Sequence, residues 1–396
     1  MQSFIFAAHG RQPAIDACRA LTMALMLFIN QLAGVKGMPD WMHHMPAHVD
    51  GMTWPDVIFP AFLFISGLSM PLSLQQQVIR GASIWQLQLD QGKRALALIV
   101  MGLFMVNAEE GFAAIGINLP VWNVLSLICL VLIWGRLHAA AGHDATPAWA
   151  RPLGISGLLI LFAIYRGGPD GNLPMQTSWW GILGLIGWAG CLSAQVYLAG
   201  RGRILPMLLA MAGCVLIYAV LECPALSASP GIRALRTQSL HCAHVLLVLA
   251  GIVTTRIALS ELPARAKRVG LFAFALLCLV AAVAVHSIYP ISKIHATPSW
   301  ALYCAAICIA VFALIQAVTP LSRGLLAVPG MRRLAQVPLL AYLIPFFVEA
   351  GMQVTGVNWP VSWMQGGVGV MCSVVFVWVV AGVAAGLTRV GIKVVV

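Results

Sequence analysis

A chain of 396 residues that is 61% hydrophobic and 9% charged, with mean hydropathy +0.91, has too little polar surface to be a water-soluble globular protein. Its net charge of +11 would suggest a nucleic-acid partner in a soluble protein, but the basic residues fall at the ends of apolar runs and read as membrane topology instead. The ten cysteines stand singly in apolar stretches without metal-ligand spacing, so they read as small packing residues.

Apolar runs fall near 15–35, 55–76, 94–108, 121–136, 152–167, 179–199, 204–222, 239–259, 269–289, 299–319, 334–351 and 363–388. They predict an all-α polytopic bundle of 11–12 transmembrane helices, one domain over 1–396, with the lipid bilayer as its main partner. The first run, Ala20 to Leu32, carries Asp16 and Arg19 at its start and no small-residue cleavage pattern follows, so a retained span is expected. If the N-terminus is cytoplasmic, eighteen of the 23 Lys and Arg residues fall on inner loops, and only Lys36, Arg166, Arg233, Arg236 and Lys293 lie outside. That bias predicts both termini inside and the loop 36–54 outside.

Two groups in the first span call for partners. Asp16 and Arg19 are three residues apart on one helix face and either pair at the membrane boundary or, with Arg11, present guanidinium forks to an anionic cytoplasmic ligand. Asn30 sits late in the same span, where an amide in lipid demands a hydrogen bond.

The next segment, Trp41-Met42-His43-His44-Met45-Pro46-Ala47-His48-Val49-Asp50-Gly51, is polar between two apolar runs. Titratable groups at membrane depth are costly and usually functional, and histidine is the side chain suited to proton transfer near neutral pH. A metal site is disfavoured, because adjacent residues rarely converge on one ion and the spacing matches no zinc pattern. Asp56, at the start of the second span, either caps that helix behind Pro55 or orients and charge-stabilises a nearby histidine.

Farther along, Trp179 and Trp180 open a span as an interfacial belt or a sugar-stacking platform. Lys293, close to His295, and Glu349, near a span end, are the other candidates for an outward pocket.

Taken together these segments resemble the transmembrane acyltransferases related to heparan-alpha-glucosaminide N-acetyltransferase, in particular bacterial relatives carrying the domain DUF5009. Ile15-Asp16, Arg19 and Asn30 are similar to that family's opening helix. The run Asp50-Gly51-Met52-Thr53-Trp54-Pro55-Asp56-Val57-Ile58-Phe59-Pro60-Ala61-Phe62-Leu63-Phe64-Ile65-Ser66-Gly67 is similar to its most specific block. Trp179 to Trp188 and Ser292-Lys293 with Thr297-Pro298-Ser299-Trp300 are similar to later motifs.

The resemblance implies acetyl transfer from cytoplasmic acetyl-CoA to the amine of a glucosamine or glucosaminide on the far side of a membrane, in these relatives the bacterial inner membrane. It implies an essential histidine shortly before the Asp-Val-Ile-Phe-Pro run. His44 is the match, two residues out of register with the family spacing, and His48 is the alternative. On this expectation His44, Asp56 and Asn30 are catalytic. Arg11, Asp16 and Arg19 hold the donor, and Asp50, Lys293, Trp179, Trp180 and Glu349 contact an amino-sugar or glycan acceptor. His44 serves as general base in direct transfer or as a covalent acetyl carrier, and a homodimer is compatible with the resemblance. An amino-sugar permease and an O-acyltransferase of a cell-envelope glycan are the competing readings.

Overall fold

Prolines and capping groups mark where the apolar runs become helices. Pro55, Pro298 and Pro338 occupy first-turn positions, where the missing N–H is no loss, and Asn118 caps its helix by accepting from Val121 N at 3.0 Å. The computed structural model describes residues 12–110, 116–137, 146–168, 170–226 and 229–394, so Arg11 lies outside the described residues.

In chain order the helices are α1 (Pro13–Leu32), α2 (Pro55–Ile79), α3 (Ile84–Glu110), α4 (Leu119–Trp134), α5 (Ala150–Ile164), α6 (Gly181–Ala199), α7 (Ile204–Leu221), α8 (Pro230–Arg236), α9 (Leu240–Ala258), α10 (Ala264–His286), α11 (Pro298–Ala317), α12 (Thr319–Ala327), α13 (Met331–Gln336), α14 (Pro338–Thr355) and α15 (Gly366–Arg389). Two short strands, β1 (Gly135–Leu137) and β2 (Ile392–Val394), pair antiparallel with Arg136 opposite Lys393.

Each of the twelve apolar runs is a helix. Nine of the described helices are long and apolar enough to cross a membrane, and α4 and α5 are shorter apolar helices. Of the twelve, α3 is the longest, because a charged stretch with Asp90, Lys93 and Arg94 precedes its apolar part. The protein is an all-α integral membrane protein. Hydropathy did not anticipate the short α8, α12 and α13, which are too brief to span and carry basic residues.

Residues fall into two compact units. One takes the chain up to Thr22, Pro39–Ala95 and Ile186–Leu326. Its centre is α9, buried without interruption from Ala243 to Thr255. Helix α2 packs on α9 with Gly67 and Gly251 at the crossing. A methyl on Gly67 would lie 2.0 Å from Val248 O, and one on Gly251 would lie 2.0 Å from Phe64 O, so the two backbones touch with no side chain between them. Thr255 Oγ1 donates to Leu68 O at 2.8 Å beside this crossing. Helices α7, α10 and α11 also belong to the unit, and the outer faces of α7 and α10 carry exposed Leu, Val and Phe suited to lipid.

The second unit takes Met23–Met38, Leu96–Leu185 and Ala327–Val396. Its core stacks Phe104, Trp122 and Tyr165, with Trp122 Nε1 donating to Leu161 O at 3.0 Å and Tyr165 OH donating to Asn107 O at 3.0 Å. The Asn107 side chain ties down the segment before α6, donating to Gln176 O and accepting from Gln176 N. There Ser178, Trp180 and Gly181 all take positive φ, and Trp180 O would stand 2.5 Å from a methyl on Gly102.

Candidate active site

The site in the first unit grows from a proline. Pro60 has no N–H to give to the carbonyl four residues earlier, so the carbonyl of Asp56 is left without its helical partner. Trp300 Nε1 donates to that carbonyl at 3.2 Å, which ties the first turn of α11 to the first turn of α2. The side chain of Asp56 is fully buried at the same point.

Both carboxylate oxygens are used. Oδ2 accepts from Met45 N at 3.1 Å, from Thr53 N at 2.9 Å and from Thr53 Oγ1 at 3.1 Å, while Oδ1 meets His44 Nδ1 at 2.7 Å. Thr53 Oγ1 also reaches His43 O at 2.6 Å, so its single proton is shared or alternates between the two acceptors. Because Oδ1 is an acceptor, a neutral His44 bonded to it carries its proton on Nδ1 and keeps its lone pair on Nε2, and the side chain as a whole is 42% open to solvent.

Lys293, from the loop before α11, closes the other side. Its Nζ is 3.0 Å from His44 Nδ1, 3.2 Å from Nε2 and 3.9 Å from Asp56 Oδ1. An atom nearly equidistant from both ring nitrogens at that range stands over the imidazole, not in line with either lone pair. Burial pushes the Lys293 amine below its ordinary value, and the Asp56 carboxylate opposes that shift. His44 therefore sits between a buried anion and a partly desolvated cation.

Asp50 holds the loop in place. Its carboxylate accepts from Ile291 N at 2.8 Å and meets His286 Nε2 at 3.0 Å, and Gly51 N donates to Ile291 O at 3.1 Å. These bonds hold the Asp50 carboxyl below the usual carboxylate range, the Ile291 N–H first and His286 second. The loop carrying Lys293 is itself knit by Ser292 and Thr297, with Ala296 at φ 47.

The residues singled out from sequence divide among three places. His44, Asp56, Asp50 and Lys293 come together in the first unit. His48 is exposed, and among the described residues its ring has no hydrogen-bond partner. Asp16 pairs with Arg19 at 2.9 Å, and Arg19 Nη2 donates to Ser69 Oγ at 2.6 Å, elsewhere in that unit. Asn30, Trp179 and Glu349 line a cavity in the second unit, whereas Trp180 contributes its backbone nearby. Sequence reading did not single out Thr53 or His286. Thr53 lies three residues before Asp56, an N-capping spacing that was available as a signal, but nothing in the sequence links His286 to Asp50 across 236 residues.

Comparison with known proteins agrees with the resemblance read from the motifs. The chain is 32% identical to heparan-alpha-glucosaminide N-acetyltransferase of Homo sapiens over 97 residues, 24% of this chain and 14% of that protein. It is likewise 32% identical to the Mus musculus protein of the same name over 98 residues, 25% of this chain and 14% of that one. The match thus spans about one seventh of each relative's length. Residues 11–167, the segment that carries His44 and Asp56, match the family described as "Domain of unknown function (DUF5009)", and the chain is similar to a heparan-alpha-glucosaminide N-acetyltransferase.

Proposed function

We propose that the protein is a transmembrane acetyltransferase that moves an acetyl group from acetyl-CoA on the cytoplasmic side to the amine of a glucosamine or glucosaminide on the opposite side, in a bacterial inner membrane with both termini cytoplasmic. The observation that carries this reading is the 2.7 Å contact between His44 and a buried, fully hydrogen-bonded Asp56. It is the arrangement of a base held in one tautomer by a carboxylate.

In direct transfer, the neutral amine attacks the thioester carbonyl, the new C–N bond forms and the C–S bond breaks. His44 Nε2 takes the proton that the amine sheds and passes it to the departing thiolate. Asp56 stabilises the imidazolium formed in between. Lys293 orients the acceptor or the developing oxyanion from the opposite side of the ring. For the donor, Arg19 with Arg11 supplies guanidinium groups to its phosphates, with Asp16 setting the Arg19 fork.

A vesicle assay with labelled acetyl-CoA inside and glucosamine outside tests this. His44→Ala is expected to lose about 10²- to 10⁴-fold in transfer rate, the usual worth of a general base, while His48→Ala stays near wild type. Unchanged transfer in His44→Ala removes the assignment. Sugar uptake without transfer replaces the reading with a permease.

A further inference from the structure

Lys293 is a primary amine placed beside an acid–base pair. Its Nζ stands 3.2 Å from His44 Nε2, the nitrogen that keeps the lone pair while Nδ1 donates to Asp56. The four-carbon stem of a lysine is flexible enough to swing Nζ from above the ring into line with that lone pair. Asp56, fully buried, stabilises the imidazolium that results. Burial also holds the Lys293 amine below its ordinary value, against the pull of Asp56, so more of it is free base than in a lysine surrounded by water. A base beside the amine and the loss of water around it are the two routes by which a lysine becomes a nucleophile.

The surroundings single this amine out. The titratable groups that face it are His44 from the loop before α2, Asp56 from α2 and Cys304 from α11. Cys304 is fully buried, with its thiol directed at Met52 Sδ 4.0 Å away, whereas the Lys293 side chain is 25% open to solvent. The loop that carries Lys293 is fixed on both sides of it, through Ile291 to Asp50 and through Ser292 to Thr297. Lys36 and Lys93, by contrast, are exposed surface lysines.

We propose that Lys293 is a covalent modification site, a lysine that reacts with activated esters and thioesters and is acylated on Nζ. The neutral amine attacks the acyl carbonyl, the new C–N bond forms, and the bond from the carbonyl to the leaving oxygen or sulfur breaks. His44 Nε2 takes the proton that the amine sheds and passes it to the departing group. The product is an amide, so the positive charge beside Asp56 is lost and the space over the His44 ring is filled. The reaction needs only an activated acyl compound and stands apart from the transferase reading.

The test uses p-nitrophenyl acetate, which contains no part of coenzyme A. The full chain in nanodiscs is exposed to it near neutral pH, and acetylation at each lysine is followed by peptide mass spectrometry. Lys293 is expected to react at least about tenfold faster than Lys36 or Lys93, a small part of the roughly 10²- to 10⁴-fold that a positioned base contributes. Its rate is expected to level off at a lower pH than theirs. His44→Ala is expected to slow Lys293 by about tenfold and to leave the two exposed lysines unchanged. Helix content and elution volume confirm that the variant is folded. A Lys293 rate no greater than that of the exposed lysines, a pH profile matching theirs, or an unchanged rate in folded His44→Ala each overturns the assignment. The transferase reading is judged separately, by transfer from acetyl-CoA in the vesicle assay, so either one fails without the other.

Discussion

Asp56 meets the His44 ring on one oxygen while its other oxygen takes two backbone N–H groups and a threonine hydroxyl. That division makes Asp56→Asn an informative variant. An amide keeps the backbone donors on its oxygen by turning its NH₂ toward the imidazole, which then accepts at Nδ1 and carries its proton on Nε2, the wrong tautomer for a base. Folding stability is expected to fall by no more than about 1.5 kcal/mol, because charge-assisted hydrogen bonds become neutral ones and no donor is orphaned. Transfer is expected to fall by about 10²-fold or more, within the range of losing general-base catalysis. Calorimetry and the vesicle assay, run on the same preparation, separate the two effects.

Trp300→Phe keeps the ring and removes the indole N–H that satisfies the Asp56 carbonyl. Because Pro60 cannot take over that bond, the carbonyl is left bare in a buried position. A stability loss of about 1–3 kcal/mol is expected. Replacing Pro60 with Ala in the same background supplies the missing N–H and should recover part of it. No recovery in the double variant counts against this account of the helix start.

Gly251→Ala places a methyl against the backbone of α2, where no flexible atom can move aside. Overpacking of this kind costs about 1–3 kcal/mol or more, and the helices must separate to relieve it. Reduced yield of folded protein and a lower melting temperature are expected, with a similar result for Gly67→Ala. Gly190→Ala, where the added methyl meets open space, is the matched control.

The Asp50 contacts predict a pH dependence. Its carboxyl is held below the usual carboxylate range in the folded state, so its contribution is fully present above the unfolded value and is lost as pH falls through the folded one. The melting-temperature difference between wild type and Asp50→Asn should therefore be constant near neutrality and shrink below the ordinary carboxylate range. A difference that grows with acidity contradicts the assignment.

Hydropathy located the twelve apolar helices because lipid imposes a minimum apolar length, which is a local property of sequence. The histidine loop stood out as a candidate for the same reason: its polar groups lie between apolar runs. The resemblance favoured His44 with His48 as the alternative, but that the His44 ring meets Asp56 was not legible, since it depends on how the loop folds back through Met45 and Thr53. The pairing of Asp50 with His286 and the placing of Lys293 over His44 join segments more than two hundred residues apart, and no local pattern encodes them. Asn30, Trp179 and Glu349 were marked individually, but that they line one cavity follows only from the packing of the second unit.

The meeting of Gly67 with Gly251 also bears on the site. The close backbone approach of Gly67 and Gly251 sets the point from which the angle between α2 and α9 is measured. Asp56 lies eleven residues from Gly67, about 16 Å along the helix at 1.5 Å per residue. A few degrees of change in that angle would displace the carboxylate by about 1 Å, comparable to the misplacement that degrades a catalytic contact. The placement of Asp56 is therefore sensitive to the packing at the glycine crossing.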